Sequence, residues 1–287
     1  MDSPLSIQIL DKLETRDPKS IINPILKFGC EGTENGQFRH AQGLCVNSKG
    51  EINVADHNNH RIQILSKDGV FLRRFGAQGS DPGQFNQPEG VTTDKEDQIY
   101  VTEWSGHRVQ IFNSGGHYIS QFGKQGLGKG QFSSPAGIMI DPQNGHILVA
   151  DFYNNRVQIF DSQGQYLTQF GNGILSNPFG ICMNSKREIF VSEYRGHCVD
   201  VFDEGGRALH QIGNGQFLFP RYLCVDGNDN LYVCSGGNSK VFVYEQSGKF
   251  VHAFTDERMA HPIGIAFNPV DGSLDLVGDN GHAIFIF

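Results

Sequence analysis

"INVADHNNHRIQIL" (Ile52–Leu65) sets two alternating apolar runs on either side of a polar middle holding an acid, two histidines, two asparagines and an arginine. Taken singly, that middle suits a metal, a phosphate or an activated nucleophile. The chain then repeats it as "IYVTEWSGHRVQIF" (Ile99–Phe112), "ILVADFYNNRVQIF" (Ile147–Phe160) and "IFVSEYRGHCVDVF" (Ile189–Phe202). Weaker copies follow in "LYVCSGGNSKVFVY" (Leu231–Tyr244) and "LDLVGDNGHAIFIF" (Leu274–Phe287). A feature that recurs in unit after unit is architecture, and the positions that vary between copies are where function can differ.

Each unit ends on an apolar stretch closed by an aromatic or aliphatic residue, usually with a glycine after it, at Phe28, Phe75, Phe122, Phe170, Ile212 and Phe254. Intervals of about 40 to 50 residues, each holding four short period-two runs, are the mark of a β-propeller blade. The expected fold is therefore all-β, a six-bladed β-propeller of four-stranded antiparallel blades. A glycine-rich composition, 36 in 287 residues, suits many short strands joined by tight turns. The sixth unit stops at its third strand, while "PILKFG" (Pro24–Gly29) matches the outermost strands of the others. The N-terminal strand, about 23–29, is thus expected to complete the last blade and remove a sheet edge. Residues 21–287 form the propeller in this reading, and 1–20 a linker or N-terminal extension.

Bulk properties narrow the function. No run of 18 apolar residues occurs, which gives no helical membrane span, and the N-terminus lacks a secretory pattern. The six cysteines form no C-x-x-C pair and none stands beside a second ligand at zinc spacing; four fall at strand-like positions. Free thiols and a cytoplasmic location are expected. A net charge of -8 argues against non-specific nucleic-acid binding, though a local basic patch can outvote the total, and no DNA partner is expected.

"GQFNQPEGVTTDKEDQIYVTEWSGHRVQIF" and "GQFSSPAGIMIDPQNGHILVADFYNNRVQIF" resemble the NHL repeat, and the resemblance extends over 28–287 in six copies. Such propellers form the C-terminal domain of TRIM-NHL proteins, where upstream RING, B-box and coiled-coil regions carry E3 ubiquitin ligase activity. No such region is legible in this sequence. The resemblance implies a macromolecule-binding domain that recruits protein partners, including ligase substrates. The alternative is binding of single-stranded or stem-loop RNA, as in post-transcriptional repressors. Related six-bladed lyases and lactonases offer an enzymatic reading. The innermost strands, "GLCVN", "GVTTD", "GIMID", "GICMN", "YLCVD" and "GIAFN", place acids and amides only at their far ends, so no catalytic residue, metal or cofactor is expected.

The recurring acid (Asp56, Glu103, Asp151, Glu193) and the arginine five positions on (Arg61, Arg108, Arg156) read as a structural fork at each blade tip. His60, His107, His197 and His282 read as tip hydrogen-bonders. Directly after the acid the residues vary: His57, Trp104, Phe152, Tyr194. A second variable set stands just before each innermost strand and includes Gln42, Glu89, Phe179 and Arg221, with Tyr222 replacing the usual glycine. Both sets emerge on one face. The expected partner-binding residues are His57, Trp104, Phe152, Tyr153, Phe179, Tyr194, Arg195, Arg221 and Tyr222, since Trp, Tyr and Arg dominate binding hot spots. Turns such as "DKEDQ" and "DGNDN" put most negative charge on the opposite face. Protonation of the many tip histidines is expected to make the tip face mildly basic below about pH 6.5. The propeller itself is expected to be monomeric.

Overall fold

The computed structural model describes residues 24–287; the expected extension, 1–20, and the first three residues of the expected propeller, 21–23, lie outside the described residues. Six four-stranded antiparallel sheets follow one another in sequence. Blade one runs Ala41–Val46, Ile52–Asp56, Arg61–Leu65 and Phe71–Phe75 from the axis outward, and blades two to five repeat this order. Blade six takes Ile265–Phe267, Leu274–Gly278 and Ala283–Ile286 from the C-terminus and Leu26–Phe28 as its outermost strand. Leu26 pairs with Ile286 and Phe28 with Ile284, so the ring is closed by its own first strand, as expected.

The second and third strands are buried on both faces in blades one to four, because each sheet is covered by its neighbours. The outermost strands are more exposed, and "FLRRF" of Phe71–Phe75 alternates between half-buried and exposed residues. The phenylalanine of "GQF" is buried in each blade that carries it: Phe38, Phe85 and Phe132 at 0% exposure, Phe217 at 3%. Phe85 packs 5.4 Å from Phe112, and Phe112 lies 4.7 Å from Phe75. The glycine of "FG" lies against the same ring. At Gly76, φ is +92° and an added Cβ would sit 2.3 Å from the Phe85 ring, so no side chain fits.

Around the axis the innermost strands approach one another through glycine. A Cβ added at Gly90 would stand 2.5 Å from the Ala136 carbonyl oxygen, at Gly137 2.4 Å from that of Phe179, and at Gly180 2.5 Å from that of Arg221. Gly264 closes the circle, with 2.3 Å to the Gln42 carbonyl. Blade five departs from the pattern: Tyr222 occupies the position, and its N–H reaches the Ile263 carbonyl at 3.3 Å.

These glycines sit in a repeated β-bulge. Pro88 pairs with Glu103 but the next pair is Val91 with Val101, so Glu89 and Gly90 oppose Thr102 alone. Blades one, three, four and five shift register at the same place. Gln42, Glu89, Phe179 and Arg221 therefore lie within the innermost strands, one residue in, and not before them as the sequence reading placed them. The Thr102 hydroxyl fills the gap in blade two, accepting from Gly90 N at 2.8 Å and donating to the Ala136 carbonyl at 2.6 Å. Ser192 does the same in blade four, for Gly180 N and the Arg221 carbonyl.

Each of the first three blade tips is tied by the expected fork. Arg61 Nε donates to Asp56 at 2.7 Å while its terminal nitrogens reach the carbonyls of Thr33, Glu34 and Gln37. The other Asp56 oxygen accepts from Arg39 N at 2.8 Å, and Gln63 bridges the same carboxylate and the Gln37 carbonyl. Arg108 with Glu103 and Arg156 with Asp151 repeat the arrangement at 2.5 and 2.8 Å. The fork thus anchors the loop that leads into the innermost strand. These charges are buried, so removing one partner leaves the other uncompensated. Arg156→Ala is expected to cost about 3–5 kcal/mol in denaturant unfolding, with Asp151→Ala/Arg156→Ala recovering part of the loss. A single-variant cost below about 1 kcal/mol would show that the fork is not structural. Removing residues 24–29 exposes the edge of Ala283–Ile286 and should lower the melting temperature sharply; an unchanged melt would mean that this strand does not hold the ring shut.

Candidate functional site

The bulges and the tips meet at the mouth of the channel. A depression of about 290 Å³ is lined by His40, Gln42, His57, Gln87, Glu89, Trp104, Phe152, Tyr153, Phe179, Tyr194, Arg195 and Arg221. Eight of the nine residues expected from the sequence line this one depression, drawn from blades one to five. The ninth, Tyr222, lies beneath it: it is buried, packs edge-on to Phe179 at 5.3 Å, and burial pushes its hydroxyl well above the ordinary tyrosine range. Tyr222 therefore supports the floor and does not reach the surface.

Aromatic rings form one wall. Trp104 stands 4.9 Å from Phe152 and 5.7 Å from Tyr153, and Phe152 lies 5.9 Å from both Phe179 and Tyr194. Phe152 and Phe179 are buried, whereas Tyr153 is 55% exposed. Trp104, Phe152, Tyr153 and Tyr194 owe their place to a single turn of 3-10 helix or a tight turn after the acid, which ends on a left-handed residue such as Asn155 at φ +52°, whereas Phe179 projects from the bulge of its innermost strand. Sequence reasoning missed Phe219, which stacks on Tyr194 at 4.9 Å and is partly exposed. Its signal was a position two before Arg221 that no other blade fills with Phe, Tyr or Trp.

Polar groups line the other side. The Arg221 guanidinium lies over Phe179 at 5.4 Å and Tyr194 at 5.7 Å, and donates to Gln42 Oε1 at 2.8 Å from across the mouth. Gln42 in turn bonds the His40 ring at 2.8 Å. His57 Nδ1 is 2.9 Å from Glu89 Oε2, while Glu89 Oε1 is buried with no hydrogen-bond partner. A buried acceptor left open is costly unless something brings it a donor.

The tip histidines bridge neighbouring blades. His60 Nδ1 accepts from Gln87 N at 3.1 Å, His107 Nδ1 from Ser134 N at 3.0 Å and His197 Nδ1 from Phe219 N at 3.3 Å. His282 Nδ1 lies 3.2 Å from the Phe38 carbonyl. Burial holds His60 and His107 below the ordinary imidazole range, and burial together with His57 and Arg221 does so for His40. Acidification thus adds less positive charge to this face than the histidine count suggested.

The thiols also differ from expectation in detail. Five of the six cysteines, not four, lie in strands, all six are free, and Cys30 is exposed. Cys45, Cys182 and Cys224 stand on innermost strands, where burial raises each thiol, Cys45 to about 12. One group of metal-ligating side chains gathers among the described residues, Glu193, Cys198 and Asp200 on the second and third strands of blade four. The hairpin pairs Glu193 with Cys198, a neighbour that linear ligand spacing does not show. No helix among the described residues is long and apolar enough to cross a membrane.

Residues 38–65 match the NHL repeat family, and 93–171 match a family described as a 6-bladed beta-propeller. Protein lin-41 of Caenorhabditis elegans is 45% identical over 51 residues, which are 18% of this chain and 4% of that protein. Tripartite motif-containing protein 2 of Homo sapiens is 40% identical over 50 residues, 17% of this chain and 7% of that protein. The matched stretches thus span a small part of these relatives. Among solved structures, a gluconolactonase from Xanthomonas campestris superposes with a TM-score of 0.69 at 14% identity, covering 93% of this chain and 99% of its own. That likeness concerns the fold alone. Repeats, blade count and relatives agree: the chain is a six-bladed β-propeller that carries an NHL repeat and is similar, over about a sixth of its length, to TRIM-NHL proteins.

Proposed function

We propose that the tip-face depression binds a protein partner, and that the chain serves as the recognition domain of a TRIM-NHL E3 ubiquitin ligase without catalysing a reaction itself. The observation that carries this reading is the pairing of exposed ring surface with an open buried acceptor, Glu89 Oε1. Trp104, Tyr153 and Tyr194 offer apolar faces to a side chain, and Glu89 suits a backbone amide or a basic group from a peptide. Arg221 is held by Gln42 and two rings, so it presents its remaining donors to a carbonyl or carboxylate at little further entropic cost. We place the domain in the cytoplasm and treat the propeller as a monomer; its free thiols fit a reducing compartment.

RNA is the second reading, favoured by the juxtaposition of Arg221 and Arg195 with Tyr194 and Tyr153, which are partly exposed rings of the sort on which bases stack. Glu89 in the same depression repels phosphate and ranks this reading lower. Binding of a displayed-peptide library, compared with Trp104→Ala/Tyr194→Ala/Arg221→Ala, is the direct test. The variant should fold yet lose selected peptides by at least ~100-fold, as removal of several hot-spot residues does. Retention of every ligand would show that partners bind elsewhere. A filter-binding titration with single-stranded RNA at two salt concentrations checks the alternative: tight binding with a steep salt slope would reverse the ranking.

A further inference from the structure

Blade four departs from the tip fork by keeping the acid without the arginine that meets its charge in blades one to three. Blades one to three place an acid, an arginine and a glutamine at equivalent positions: Asp56, Arg61 and Gln63; Glu103, Arg108 and Gln110; Asp151, Arg156 and Gln158. The acid's charge is met by the guanidinium, and the amide donor bonds the same carboxylate. In blade four the corresponding residues are Glu193, Cys198 and Asp200. Both donors have gone, and a second carboxyl and a thiol have replaced them.

The three side chains are buried, each at 3% exposure, and one potential ligand atom from each lies within 4.8 Å of the others. Glu193 accepts from Ser176 N at 3.0 Å through one oxygen, but its Oε1 has no hydrogen-bond partner. Asp200 Oδ2 is likewise buried and unpartnered, the neutral Gln211 amide on the adjoining strand being the donor that this carboxyl has. Blades five and six show that the fold itself needs no acids here, since they carry Ser235 with Lys240 and Phe242, and Gly278 with Ala283 and Phe285. Two buried carboxyls without a base are costly unless a cation or shared protons neutralise them.

We propose that Glu193, Cys198 and Asp200 form a binding site for a divalent transition-metal ion of the zinc class, standing where the guanidinium stands in blades one to three. A thiolate beside carboxylates suits Zn²⁺ and disfavours Ca²⁺ or Mg²⁺, which prefer oxygen-only shells. Bonds of about 2.0–2.3 Å bring tetrahedral ligands to within ~3.5 Å of each other, so about an ångström of side-chain rotation closes the trio. Coordination expels the thiol proton to solvent and leaves a fourth position for water. Tyr194 and Arg195 follow Glu193 directly, so the ion would fasten the tip that carries part of the groove wall. Ion binding at this trio is independent of what the groove binds.

The test uses the whole chain, stripped with a chelator and titrated with Zn²⁺ alone by calorimetry, and with Co²⁺ as a spectroscopic probe. One ion per chain is expected, with a higher melting temperature and a near-ultraviolet thiolate-to-cobalt absorption. Cys198→Ser should abolish that absorption and weaken Zn²⁺ binding by ~100-fold or more, whereas Cys30→Ser should change neither. The double variant Cys198→Arg/Asp200→Gln, which installs the fork of the other blades, should fold and melt independently of Zn²⁺. Failure to take up Zn²⁺ at micromolar concentration, uptake unchanged by Cys198→Ser, or equal stabilisation by Ca²⁺ would each overturn the proposal. A stripped protein stabilised by Asp200→Asn and indifferent to Zn²⁺ would show instead that the two carboxyls share a proton.

Discussion

The close approach of the innermost strands is the constraint on which the rest of this propeller depends. Carbonyl oxygens of one blade occupy the space where a side chain would project from the next, as at Gly90, Gly137, Gly180 and Gly264. That contact sets how tightly the blades ring the axis, and hence how the apolar faces of neighbouring sheets meet. It also explains the repeated bulge. Two residues against one let the strand bend toward its neighbour, and the residue before the glycine is turned into the channel mouth. The lining of the groove by Gln42, Glu89, Phe179 and Arg221 is thus a consequence of how the ring is packed.

A second layer of order comes from buried charge. The forks at Arg61, Arg108 and Arg156 satisfy loop carbonyls that would otherwise be stranded inside, and they fix the loop ahead of each bulge. Their cost in desolvation is repaid only because each donor has an acceptor. Blade four keeps the acid and its bond from the loop, Ser176 N on Glu193 as Arg39 N on Asp56, while losing the arginine and glutamine that tie the loop carbonyls in the first three blades.

Much of this was legible in the sequence because repetition separates scaffold from variation. The period-two runs, the "FG" and "GQF" marks and the truncated sixth unit gave blade number, strand order and ring closure. The clustering of Trp104, Phe152, Tyr194, Phe179 and Arg221 followed from knowing that tips and inner-strand starts share a face. What stayed hidden depends on depth and on cross-strand neighbours. Tyr222 looked like a surface replacement for glycine, yet the bulge turns it inward. The histidines looked like latent positive charge, yet Nδ1 of His60 and His107 already accepts a backbone N–H from the next blade. Glu193 and Cys198 are opposite one another only once the hairpin is formed.

The bulge has a consequence for how such a surface can diverge. Residues 42, 89, 136, 179 and 221 occupy one geometric slot in five successive blades, yet they are glutamine, glutamate, alanine, phenylalanine and arginine. Their side chains project from a local excess of backbone, so exchanging one for another leaves strand register and the glycine ring untouched. The channel mouth therefore works like a row of interchangeable letters on a fixed frame, in which selectivity can be rewritten without renegotiating the fold.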